Sequence, residues 1–100
     1  MCKLIRDYEN PNLSMEERLP SLAMRFSCLR RAKGLAPFTS ATFYSWLSSQ
    51  PQDTPAWHAG HLILNLFGTG PWERFDAVRA LQSFGEEERS VFANWVRCWH

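Results

Sequence analysis

A chain of 100 residues with 45% hydrophobic and 21% charged side chains carries enough apolar material for one folded domain and too little charge for a disordered one. A net charge of +1 argues against strong non-specific attraction to nucleic acid. The three cysteines (Cys2, Cys28 and Cys98) are odd in number and contain no CxxC pair, which fits free thiols in a reducing compartment rather than a disulfide framework.

The opening residues MCKLIRDYENPN interrupt any apolar run with charge, so they lack the core of a signal peptide. Residues 1–13 are expected as an N-terminal arm or a short helix, ahead of a single helical domain. The longest apolar stretch, LILNLF, is far too short to span a membrane, and a cytoplasmic protein is expected.

From Ser14 onward the apolar spacing is helical rather than alternating. Ser14-Met15-Glu16-Glu17 reads as a capping box, in which hydroxyl and carboxylate satisfy free N–H groups at a helix start. A first helix follows, with a kink or restart at Pro20-Ser21, and runs to Gly34. Leu19, Leu22, Phe26 and Leu29 share its inner face. Thr39 or Ser40 caps a short second helix through Ser49, with Phe43, Trp46 and Leu47 inward, and Pro51 ends it. Asp53-Thr54-Pro55 opens the third helix, Thr54 as cap and Pro55 at the first position, where a missing N–H is harmless. Gly68 closes it. Gly70-Pro71 opens the fourth, which closes at Gly85 with Phe75, Val78, Leu81 and Phe84 on its apolar side. Glu86, Glu87 and Glu88 begin the fifth at the positive end of the helix dipole. Its inner face is Val91, Phe92, Trp95, Val96 and Trp99. The expected fold is all-α, a compact orthogonal bundle of four to five short helices.

Within the third helix, His58, His61 and Asn65 form one narrow polar stripe on an otherwise apolar cylinder. A helix of this kind belongs at the centre of the bundle. The stripe is then its single exposed edge or a hydrogen-bonded seam. Two imidazoles one turn apart can share a metal ion, but a third ligand would have to come from Cys28, Cys98 or His100. No HExxH, nucleophile elbow, phosphate-binding loop or catalytic triad spacing is present, and neither catalysis nor a cofactor is expected.

What remains is binding. Five tryptophans are many for so small an interior, and Trp and Arg supply much of the energy at protein interfaces. The candidate partner-binding residues are Arg25, Arg30, Arg31, Lys33, Trp46, Trp72, Arg74, Glu86, Glu87 and Glu88. Trp46 and Trp72 are the rings expected at the surface, and Glu73 and Asp76 can extend the acidic set. Compact, motif-free, aromatic-rich chains of this size are common among inhibitors carried by phages and other mobile elements, anti-CRISPR proteins among them. Docking onto another protein or a protein–nucleic-acid complex is therefore the expected function, with a homodimer as a further way to cover the rings. The alternative is a small nucleic-acid-binding or transcription-associated factor that uses the basic segment 18–52, which has five basic side chains and no acid.

Overall fold

The computed structural model describes residues 15–35 and 37–98, and the side chains of 17–35 and 37–97 among them. It is an all-α bundle. Helix α1 spans Met15–Arg25, a 3-10 turn Ser27–Leu29, α2 Ser40–Leu47, α3 Pro55–Phe67, α4 Ala77–Ser83 and α5 Glu86–Cys98. Among the described residues there is no β-strand, only an isolated bridge between Leu35 and Phe38. None of their helices is long and apolar enough to cross a membrane. The N-terminal arm at 1–13, the Ser14 cap, Cys2, Trp99 and His100 lie outside the described residues.

Helix α3 is the axis of the fold. Thr54 caps it through a bond from the Trp57 amide (3.3 Å), Pro55 occupies the first turn, and Gly68 follows the last residue. Every residue from Trp57 to Leu64 is buried, and α1, the 3-10 turn, α2 and α4 all pack against it. Leu19, Leu22, Phe26 and Leu29 from the first segment meet Phe43 and Leu47 from α2 and Ile63 and Leu64 from α3, all eight fully buried. Removing a side chain of this size from water stabilises the fold by roughly 1.5–3 kcal/mol.

The first helix ends at Arg25, well short of Gly34. Phe26 adopts extended backbone (φ −81°, ψ 115°), and its amide closes a tight turn on the Ala23 carbonyl at 3.0 Å. Ser27 and Cys28 are weak helix formers, and Ser27 Oγ finds a partner in Glu88 Oε2 at 3.1 Å. The break lets Phe26 and Leu29 both sink into the core, so the expected inner face survives although the helix does not. Arg30, Arg31 and Lys33 consequently lie on turns, not on a helix flank. Gly34 is a turn glycine at the foot of α2. It sits at φ +85°, and a Cβ there would lie 2.5 Å from the Phe43 amide nitrogen.

Helix α2 stops at Leu47 rather than Ser49. The hydroxyls of Ser48 and Ser49 turn back onto the Tyr44 and Trp46 carbonyls at 2.9 and 2.6 Å, closing the helix with side chains. The fourth helix begins at Ala77, not at Gly70-Pro71. Asp76 caps it by accepting from the Arg79 amide at 3.2 Å. The preceding segment is held in irregular form, with Trp72 Nε1 bonded to the Gly68 carbonyl at 3.1 Å and the Glu73 carbonyl to Asn65 at 2.9 Å.

This late start turns the helix. Ala80 and Phe84 face inward, while Val78 (68% exposed) and Leu81 (40%) face out, contrary to their expected burial. Helix α5 is peripheral and attaches by rings: Phe92 packs on Phe75 and Phe84, with centroids 5.7 and 6.2 Å away, and stacks on Trp95. Val91, Phe92 and Trp95 are half-buried as part of its inner face, but Val96 is exposed.

Close approach of α2 to α3 depends on Gly60, because a Cβ there would run into the δ-methyls of buried Leu47. Gly60→Ala should therefore destabilise the protein by about 1–3 kcal/mol in chemical denaturation, despite alanine's higher helix propensity. In a Leu47→Ala background the same substitution should cost far less, and equal costs in both backgrounds would contradict this packing.

Candidate functional site

The polar stripe of α3 is a buried seam. His58 and His61 are only 1% and 4% exposed. His61 Nδ1 donates to the Trp57 carbonyl at 2.7 Å, and Asn65 Nδ2 donates to the His61 carbonyl at 2.7 Å as well as to Glu73. These are mostly helix-internal solutions, each side chain bonding the carbonyl one turn earlier. His58 reaches out of the helix instead, and its Nε2 donates to Asp53 Oδ1 at 3.1 Å. Its Nδ1 is buried without a hydrogen-bond partner among the described residues.

As ligand candidates, the two imidazoles are not joined by a third group. Among the described residues no set of three His, Cys, Asp or Glu side chains converges. Cys28 lies by Glu88, and burial, reinforced by the Glu88 charge, pushes its thiol up to about 12. The Cys98 side chain and His100 fall outside the described residues.

Asp53 is a junction that sequence reasoning missed. It adopts φ +63°, a left-handed conformation tolerated by Asp better than by most residues. In that pose its carboxylate accepts from His58 and from Arg79 Nη2 (2.6 Å to Oδ2), while its carbonyl accepts from Ser83 Oγ at 2.8 Å. One residue thus ties the α2–α3 loop, α3 and α4 together. The Arg79 hydrogen bond holds the Asp53 carboxyl below its ordinary range. Burial pushes the His58 imidazole down, against the opposing pull of Asp53.

The candidate partner residues do not form one surface. Arg30 and Glu87 face each other at 3.9 Å. Glu88 is half-buried and accepts from Ser27 and from the Gly85 amide at 3.0 Å, so it serves α5 rather than an open acidic patch. Glu86, Arg31 and Arg74 are exposed, and Arg25 lines a groove with Met24, Arg30 and Leu35.

Lys33 and Trp46, distant in sequence, do come together. They line one open groove of ≈ 430 Å³ with Ala41, Thr42, Ser45 and Ser49, and no acidic residue lines it.

Trp46 also ends a continuous aromatic array. It stacks on Phe43 (6.0 Å between centroids), Phe43 touches Phe38 (6.1 Å), Phe38 touches Phe67 (5.2 Å), Phe67 touches Trp72 (6.3 Å), and Trp72 meets Tyr44 edge-on (5.8 Å). Buried Phe38 and Phe43 anchor the array, half-buried Trp46, Trp72 and Tyr44 form its rim, and Phe67 breaks the surface at 38% exposure. Thus Trp46 and Trp72 are half-buried, Trp46 lying between the inward position its helix spacing suggests and the exposure expected of a docking ring. Phe67 and Tyr44, not among the candidate residues, complete the outer rim. No protein-family profile, curated protein or solved structure matches this chain.

The seam predicts a pH response. A folded imidazole held below its unfolded value of 6.5 stabilises the protein fully above that pH, and the contribution is lost as pH falls below it. Urea unfolding should show the wild type losing stability from pH 7 to pH 5 relative to a His58→Gln variant. A constant difference between the two across this range would contradict a neutral, buried His58.

Proposed function

We propose that this protein is a non-catalytic docking module acting on another protein or a protein–nucleic-acid complex through the α2 face. The observation that carries the reading is the convergence of Lys33 and Trp46 in an acid-free groove at the end of the aromatic array. A ring held by stacking underneath loses little conformational freedom on binding, which is why Trp so often anchors interfaces. Lys33 beside it favours an acidic or phosphate-bearing partner surface.

The distribution of basic groups supports local docking over tracking along nucleic acid. Arg18 is buried, Arg30 faces Glu87, and Arg31 and Lys33 are turn residues, so segment 18–52 presents no regular phosphate-spaced stripe. The target we propose is a nucleoprotein machine, blocked in the manner of the small phage-borne inhibitors that include anti-CRISPR proteins. This part rests on size, composition and the absence of catalytic motifs. A cytoplasmic setting accompanies it, where the unpaired Cys28 stays reduced.

The test is affinity capture followed by reconstitution with the purified target, comparing wild type with Lys33→Glu and with Ser45→Arg, which fills the groove from an exposed helix position. Both variants should melt as the wild type does and bind at least about ten-fold more weakly. Unchanged affinity in both would refute docking through this face. Binding to arbitrary DNA with a steep salt dependence would instead select the nucleic-acid reading, and light scattering of the free protein would reveal a homodimer.

A further inference from the structure

The end of α2, the start of α3 and the segment after α3 enclose a second, smaller cavity of ≈ 190 Å³, lined by Tyr44, Ser48, Gln52, Trp57, His61 and Glu73. Two of its lining donors are committed elsewhere, and the Tyr44 hydroxyl and Gln52 amide add further oxygens able to accept. The Ser48 hydroxyl donates to the Tyr44 carbonyl at 2.9 Å, and His61 Nδ1 donates to the Trp57 carbonyl at 2.7 Å. Ser48 Oγ and, in the neutral ring, His61 Nε2 therefore retain lone pairs and no competing proton. His61 lines the cavity while remaining only 4% exposed.

Glu73 adds a carboxylate that has no ion pair among the described residues. Its backbone carbonyl, not its side chain, takes the bond from Asn65 that fixes this segment to α3. Tyr44 and Trp57 contribute ring walls, and no Lys or Arg lines the cavity. Neutral acceptors, one carboxylate and aromatic walls suit a compact cation rich in N–H donors. A guanidinium is a planar fork best met by a bidentate carboxylate, whereas an ammonium offers three protons to separate acceptors.

We propose that this cavity binds a primary ammonium group, with Glu73 supplying the charge and His61 Nε2 and Ser48 Oγ accepting its protons. The ammonium can belong to a lysine of a partner protein or to a small free diamine. The inference does not depend on the Lys33–Trp46 groove, and each can fail without the other.

The test is an NMR titration of the full chain with three probes: Nα-acetyl-lysine methylamide, putrescine, and Nα-acetyl-norleucine methylamide as the uncharged control. Saturable shifts at Tyr44, Ser48, Trp57 and His61 are expected with the amines and not with the norleucine compound. Glu73→Gln should melt as the wild type does, because this exposed side chain makes no hydrogen bond or ion pair among the described residues, and should weaken amine binding roughly five-fold. Tighter binding of putrescine would assign the site to a free diamine, and tighter binding of the lysine compound to a partner's side chain. Absence of saturation by either amine, equal binding of the control, or unchanged affinity in Glu73→Gln would overturn the proposal.

Discussion

The whole arrangement depends on burying a helix that is apolar on nearly every side yet carries two imidazoles and an amide. A buried polar group without a partner costs about 1–3 kcal/mol, and all of the stripe's side chains are hydrogen-bonded, with His58 Nδ1 left as the one buried ring nitrogen of the stripe without a partner among the described residues. His61 and Asn65 achieve this by turning onto carbonyls of their own helix, which requires no outside element to be in place first. His58 and the second bond of Asn65 then reach outward, to Asp53 and to Glu73. Those two bonds fix the segments that flank α3, and through Asp53 they fix α4 as well. The polar seam thus organises the periphery of an otherwise nonspecific apolar contact.

From that core the functional surfaces follow by exclusion. Helix α3 takes the centre, α1 and the 3-10 turn cover one side, and α2 and α4 cover others. Aromatic rings too large to be enclosed are passed outward in contact with one another, from buried Phe38 and Phe43 to half-buried Trp46 and Trp72. The rim they form is rigid because its base is core. Helix α5 contributes differently: it contacts the bundle through Phe92 and through the Ser27–Glu88 bond, and it neutralises part of the basic surface with Glu87.

Legibility in the sequence tracked how local the deciding interaction is. Thr54, Pro55 and Gly68 bound α3 as they should because caps and helix stops act within a few residues. The inward set Leu19, Leu22, Phe26 and Leu29 was readable from spacing alone. The break at Phe26 was not, because it goes with the depth to which Phe26 and Leu29 sink and with the bond from Ser27 to Glu88, sixty-one residues further along the chain. The orientation of α4 was also hidden. Gly70-Pro71 is a strong helix-start signal, but Trp72 and Glu73 are held by Gly68 and Asn65, and Asp76 takes the cap. Of the site residues, Lys33 and Trp46 could be nominated by type but not known to converge. Asp53 was legible only as part of a helix opening, since its pairing with Arg79 is set by tertiary structure.

Native-state hydrogen exchange tests the central claim most directly, because amides of a helix enclosed by its neighbours exchange only through global unfolding. The account predicts that the amides of residues 59–64 in α3 are the slowest in the chain and share the free energy of global unfolding, with α5 exchanging measurably faster through local opening. Amides in α3 that exchange as fast as those of α5, at free energies below global unfolding, would contradict a buried central helix and the surfaces deduced from it.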